Sequence, residues 1–220
     1  MFNAIMIGGT GATGSHVLNQ LIKNKNCNKI TLIGRQSCHV KDDKLVEILI
    51  DSLFYLDSTK SYWEGNDVFF NCIGTTRKRA GNAKNFIDIE LGISKIAARI
   101  ASDSKIAHAS IISAEGANYK AWAKNWIHPL LYIKTMGEKE QTIISDFKFK
   151  FSTIFKPGFL NRKPNNKSNF SFIDKYSLPV DILAKAMIFD AENVYRKTVK
   201  NNIHYLIGNK SILNSIAVSS

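Results

Sequence analysis

The chain has 220 residues, enough for one domain with a full hydrophobic core and too few to require a second. Lys and Arg outnumber Asp and Glu by 30 to 18, an excess that draws a polyanion, whether a phosphorylated cofactor, a nucleic acid or an anionic membrane. Nucleic acid is given no geometry, because the basic residues form no dense stripe and no helix-turn-helix, RNA-recognition signature or zinc finger is present. No apolar run approaches membrane-spanning length, and Cys27, Cys38 and Cys72 are odd in number and lack metal-ligand spacing, which argues against a disulfide framework or a zinc site. With a strand beginning at residue 2 there is no room for a cleavable leader, so the expectation is a soluble, cytoplasmic protein.

In chain order, Phe2 to Ile7 reads as a buried strand that runs into Gly8-Gly9-Thr10-Gly11-Ala12-Thr13-Gly14. Val17, Leu18, Leu21 and Ile22 then recur at helical spacing, giving a helix from Gly14 to Lys23. Strand, glycines and helix together make a dinucleotide-binding turn, read as G-x-x-G-x-x-G from Gly8 or G-x-G-x-x-G from Gly9. Glycine is required because a side chain would hold the backbone away from a pyrophosphate, and because a sharp turn must aim the next helix's amides at that anion. Gly8, Thr10, Gly11, Ala12, Thr13 and Gly14 are the cofactor-binding residues of this turn.

The second strand, Ile30 to Ile33, ends at Gly34-Arg35, about where an acid would hold the adenosine ribose of NAD. A guanidinium there pairs with a 2′-phosphate, which favours NADP(H) as the cofactor. Asp51, after a third strand at Leu45 to Ile50, could accept from the adenine amino group or be a surface turn residue. Further strands fall at Val68 to Ile73, Ile106 to Ile112, Phe151 to Phe155 and Ile203 to Ile207. Helices fall at Ala83 to Ala101, Pro129 to Ser145 and Val180 to Asp190. The alternation is that of a single-domain α/β doubly wound parallel sheet, a Rossmann fold. Arg77, near the end of the fourth strand, contacts cofactor phosphates or orders the loop, with a nearby carboxylate as the other partner. Ala117 to His128 reads as a basic-aromatic helix carrying Trp122 and Trp126 with Lys120 and Lys124, its tryptophans packed over a substrate mouth or turned to a membrane or partner. Asn161 to Asn169 reads as a surface loop.

The blocks Leu32-Ile33-Gly34-Arg35, Ile73-Gly74-Thr75-Thr76-Arg77, Ile112-Ser113-Ala114-Glu115-Gly116, Tyr132 to Glu138 and Phe155-Lys156-Pro157-Gly158 follow the glycine loop in order. In these the chain resembles the Tat-interacting-protein group of atypical short-chain dehydrogenases. The resemblance implies an NADP-binding Rossmann domain, with cofactor contacts extending to Gly74, Thr75 and Pro157, and residues 157–220 contributing a small substrate lid. It also implies a Ser and a Tyr-x-x-x-Lys pair acting on a small carbonyl or alcohol substrate, with Tyr132 and Ser113 in the catalytic positions. Tyr moves the proton, while Lys lowers the Tyr pKa and holds the nicotinamide ribose.

The chain departs from that pattern at its centre, for Met136 stands in the Lys position and none of its tyrosines has Lys four residues later. Lys134 points to another helix face and Lys139 lies a turn beyond Met136, so neither is assigned the role. The family's paired serines become Ser113-Ala114, followed by Glu115 where a basic residue is expected. The segment from Gly116 to Tyr132 is longer than the family's and that from Leu160 to Pro179 shorter. The reading is therefore an NADP(H)-dependent oxidoreductase with an incomplete site. The alternative is a catalytically weakened NADP(H)-binding regulator or scaffold whose partner is another protein.

Overall fold

The computed structural model describes residues 1–124, 127–162, 176–199 and 201–217. Its strands are β1 (Phe2–Ile7), β2 (Cys27–Gly34), β3 (Leu45–Leu49), β4 (Val68–Asn71), β5 (His108–Ile112), β6 (Phe151–Lys156), β7 (Leu160–Asn161), β8 (Leu178–Pro179) and β9 (Ile203–Ile207). Seven of these form one sheet in the order β3-β2-β1-β4-β5-β6-β9, every pair parallel. The order reverses between β1 and β4, and at such a switch point a crevice opens at the carboxyl ends of the strands. The short strands β7 and β8 pair only with each other.

Helices cover both faces because side chains alternate along each strand. Ala4 and Met6 of β1 face one side, where they meet Val17, Leu18 and Leu21 of α1 (Gly14–Lys23) and Leu183, Ala184 and Met187 of the long helix near the C-terminus. Ile5 and Ile7 face the other side, against Trp63, Phe69, Ile93, Ala97 and Ile143. On that second side the chain after β4 forms α2 (Arg77–Ala80) and α3 (Ala83–Ile87), which a π turn over Asp88–Gly92 joins to α4 (Ile93–Asp103). Helix α5 (His128–Gln141) likewise ends in a π turn, Thr142–Asp146. Helix α6 (Val180–Tyr195) runs five residues past the expected end, and α7 (Gly208–Ala217) was not expected.

All seven expected strands are present, as are four of the five expected helices, those at 14–23, 83–101, 129–145 and 180–190. A 3₁₀ segment at Leu53–Tyr62, capped by Ser52, is an addition. Its apolar residues Leu53, Leu56 and Trp63 are buried without forming one clean stripe, so no helical period announces it. The expected helix at 117–128 is absent among the described residues before 125. Gly116 takes φ +81° and the Asn118 side chain accepts from the Lys120 amide at 2.9 Å, both turn chemistry rather than helix. Trp122 is 62% exposed with Lys124 over its ring at 5.6 Å, so it packs over no mouth. Trp126 and residues 163–169 of the expected loop lie outside the described residues.

Candidate active site and cofactor cleft

The glycine loop is shaped by what it packs against. Gly8 has φ +81°, and a Cβ there would stand 2.7 Å from the Cys72 carbonyl group, so the loop passes directly over the end of β4. The Gly11 amide donates to the Gly8 carbonyl at 3.0 Å and closes the turn. A Cβ on Gly14 would run into that same Gly8 carbonyl, so α1 starts hard against the loop. Thr13 occupies the N-cap without a side-chain capping bond. The Ser15 and His16 amides already donate to the Gly11 and Thr13 carbonyls at 3.0 Å each, so what the start of α1 offers an anion is its positive dipole end.

From this loop a cleft opens in three connected chambers. The first is lined by Gly8 to Gly11, Leu32, Gly34, Arg35, Ile73, Gly74 and Arg79. Beside it Ser52, Leu53, Phe54, Ile89 and Ile93 form a slot that also reaches Arg35 and Arg79. The other direction leads to a chamber walled by Gly11, Ala12, Thr13, Thr75, Glu90, Ser113, Tyr132, Met136 and Arg162. Gly11, Ile73, Gly74 and Arg79 belong to both the first and the last.

Most of the residues chosen from sequence thus meet in one cleft. Gly8, Thr10, Gly11, Arg35 and Gly74 line the first chamber, and Ala12, Thr13, Thr75, Ser113 and Tyr132 the other. Four others line none of the chambers. Gly14 lies beneath the loop as a packing residue. Asp51 is exposed in the turn after β3, and Arg77 is half-buried at the head of α2. Pro157 is buried, its carbonyl accepting from the Glu115 amide at 2.9 Å. The basic side chain that reaches the cleft from this region is Arg79. Thr76 caps α2 by accepting from the Arg79 amide at 3.2 Å, and that turn carries Arg79 to the cleft in place of Arg77.

Four buried charged groups, Glu90, Lys139, Glu140 and Lys156, are given no role by the sequence. Glu90 sits in the π turn, 2% exposed, its Oε1 accepting from the Thr75 amide at 2.6 Å. Its Oε2 is 3.1 Å from Nζ of Lys139, which is fully buried and also donates to the Ile73 carbonyl at 2.8 Å. Lys156 pairs with Glu140 at 2.9 Å, and the Ser113 hydroxyl donates to the same Glu140 at 2.5 Å. Ser113 therefore turns its one proton away from the chamber and presents lone pairs to it. A sequence signal existed for Glu90 and Lys139. Phe86, Glu90, Ile93 and Ala97 share one helical stripe, Lys139 falls in step with Leu131 and Ile143, and a charge in line with apolar residues calls for a buried partner.

Tyr132 packs its ring against Phe86 and His128, at 6.0 and 6.3 Å between centroids. Burial pushes its phenol above the usual tyrosine value, the Glu90 charge adds to the rise, and Arg162 opposes it. Burial likewise pushes the Cys72 thiol up to about 12, so it forms a neutral wall. Met136, 4% exposed, brings no charge to the chamber. A dinucleotide suits these residues: a glycine loop running into the positive end of α1 for a pyrophosphate, Arg35 on one flank, Tyr132 on the other, and Arg79 reaching both.

The NAD(P)H-binding family model matches residues 8–180. Among named proteins, the chain is similar to "Protein FMP52, mitochondrial" of Meyerozyma guilliermondii, 29% identical over 187 residues that cover 84% of this chain and 76% of that one. It is also similar to "Protein HTATIP2" of Rattus norvegicus, 25% identical over 201 residues covering 84% and 79% of the two chains. In fold it matches the oxidoreductase ylbE from Lactococcus lactis with a TM-score of 0.68 at 15% identity, over 98% of this chain and 97% of that one. Among the described residues no helix is long and apolar enough to cross a membrane. The cytoplasmic expectation gains no support from the first relative, which is named mitochondrial. With its glycine loop, parallel sheet and cleft in place, the chain belongs to the NAD(P)H-binding family, in the Tat-interacting-protein group of atypical short-chain dehydrogenases.

Proposed function

We propose that the protein is an NADP(H)-dependent reductase of a small carbonyl compound, with Tyr132 as the proton donor. The observation that carries this reading is the continuity of the cleft from Arg35 and Arg79, past the glycine loop, to Tyr132 and Ser113. With the pyrophosphate on the loop, the adenosine half points to the two arginines and the nicotinamide half to Tyr132. The guanidiniums of Arg35 and of Arg79, which reaches both ends of the cleft, suit a 2′-phosphate and gain nothing comparable from a bare hydroxyl. The bound cofactor supplies the hydride, and the protein supplies position and the proton.

Tyr132 suits the reductive direction. A phenol held neutral can give its proton to the oxygen of a carbonyl as that oxygen gains charge, but it is a poor base for removing a proton from an alcohol. Ser113, its own proton committed to Glu140, receives a hydrogen bond from a substrate donor group rather than giving one to the carbonyl.

Titration of the protein with NADPH and NADH by nicotinamide fluorescence tests the cofactor. Arg35→Ala and Arg79→Ala should each weaken NADPH by roughly ten- to a hundredfold, the equivalent of about 1.5–3 kcal/mol for a charge-assisted bond. NADH should change little. Equal affinity of the unsubstituted protein for the two cofactors sinks the NADP assignment, and NADPH binding without oxidation over a broad carbonyl panel leaves the regulator reading in its place.

A further inference from the structure

The missing family lysine leaves a chemical gap that this fold fills with the opposite charge. Given the NADP(H) reading above, on which this inference rests, the nicotinamide half of the cofactor enters the chamber between the glycine loop and Tyr132. Its ribose brings two hydroxyl groups that must donate hydrogen bonds once they leave water. Of the chamber's lining, Met136 is apolar, Cys72 is a protonated thiol, Arg79 and Arg162 can only donate, and Thr13, Thr75 and Ser113 offer neutral hydroxyl acceptors. Glu90 is different. A carboxylate has about four acceptor sites, of which the Thr75 amide and Lys139 each take one.

We propose that the Glu90 carboxylate accepts a hydrogen bond from a ribose hydroxyl of the nicotinamide half of the cofactor, with Lys139 behind it as a positioning residue. The chemistry is that by which an acid at the end of the second strand reads the adenosine ribose in NAD proteins, moved to the other ribose. Lys139 fits the supporting role. It does not line the chamber, it is fully buried, and its ammonium ties the carboxylate to the Ile73 carbonyl at the end of β4. A carboxylate buried there without that partner would be costly. The π turn that carries Glu90 is a distortion frequent at functional sites.

The test compares two probes on the intact protein: NADPH, and adenosine 2′,5′-bisphosphate, which has the arginine-binding end but no nicotinamide ribose. Glu90→Ala should weaken NADPH about tenfold, the loss of one hydrogen bond to a charged group, and leave the bisphosphate unchanged. Glu90→Gln, which keeps one acceptor oxygen, should restore part of the loss. Lys139→Met should also weaken NADPH selectively. If burying one unpaired charge prevents folding, the double variant Glu90→Gln with Lys139→Met removes both charges and should show the same selective loss. A purely structural pair would perturb Ile73 and Gly74, which line both ends of the cleft, and would weaken both probes together. That result, or no change for either probe, overturns the proposal. Failure of the unsubstituted protein to bind either probe overturns the cofactor reading itself.

Discussion

At Tyr132 two influences act in the same direction. Burial and the neighbouring Glu90 carboxylate both disfavour a phenolate, and only Arg162 opposes them. The phenol should therefore stay protonated through the neutral range, and carbonyl reduction should be level from about pH 6.5 to pH 9, falling only above about 10. Tyr132→Phe should lower kcat by roughly 10²- to 10⁴-fold. A pH–rate profile that falls through pH 7 would show that Tyr132 is not the donor. Positions lining the cleft were legible in sequence at the glycine loop, where the close backbone approach admits only glycine, and at Arg35 just past β2. They were not legible where the contact is set by three-dimensional packing. The two-residue difference between Arg77 and Arg79 depends on the cap at Thr76, and the Glu90–Lys139 pair joins residues 49 apart in sequence.

The seven strands of the main sheet could be read from sequence because each holds a short apolar run between turn residues, and α1 because its apolar residues keep strict helical spacing; the two-residue strands β7 and β8 are too short to leave such a run. The π turns could not, since an i→i+5 turn shifts the phase of the stripe within a helix that otherwise looks regular. The failed helix at 117–128 has a physical cause on its neighbour. Helix α5 presents Gly137 to the returning chain, where the Asn118 amide donates to the Ile133 carbonyl at 3.0 Å. A Cβ on Gly137 would press against the backbone of Asn118 and Tyr119. Alanine ordinarily gains about 1 kcal/mol over glycine inside a helix. Here Gly137→Ala should instead destabilise the protein by about 1–3 kcal/mol, the usual cost of overpacking. Urea denaturation would measure it, and a more stable variant would show that the loop yields freely.

Across the whole molecule, Asp190 of α6 ties the sheet's edge to its interior. It is 2.9 Å from Nδ1 of His204 on β9 and 3.6 Å from Nε2 of His108 on β5, while Thr153 also meets His108 at 3.0 Å. The hydrogen bond to Asp190 raises the pKa of His204, so that contact stabilises the fold below about pH 6.5 and fades as pH rises through the raised value. Burial lowers the pKa of His108, which acts oppositely: stability is lost as pH falls below about 6.5, where the unfolded chain takes up the proton. Replacing His204 isolates the first effect. The Tm of His204→Gln should lie below that of the unsubstituted protein at about pH 5, with the gap closing by about pH 8. A gap that widens with pH would refute the assignment.

Strand order also sets a timetable. Strand β1, made before the other six of its sheet, lies inside it, with β2 on one side and β4 on the other. As the chain leaves the ribosome, β2 can pair soon after β1, but the opposite edge of β1 waits for roughly 60 further residues. At about 5–20 residues per second that is about 3–12 s. During that interval the backbone groups along that edge of β1, on a strand whose Ile5 and Ile7 face one side and Ala4 and Met6 the other, have no β4 to pair with, and only the arrival of Val68 to Asn71 takes them out of reach of other chains.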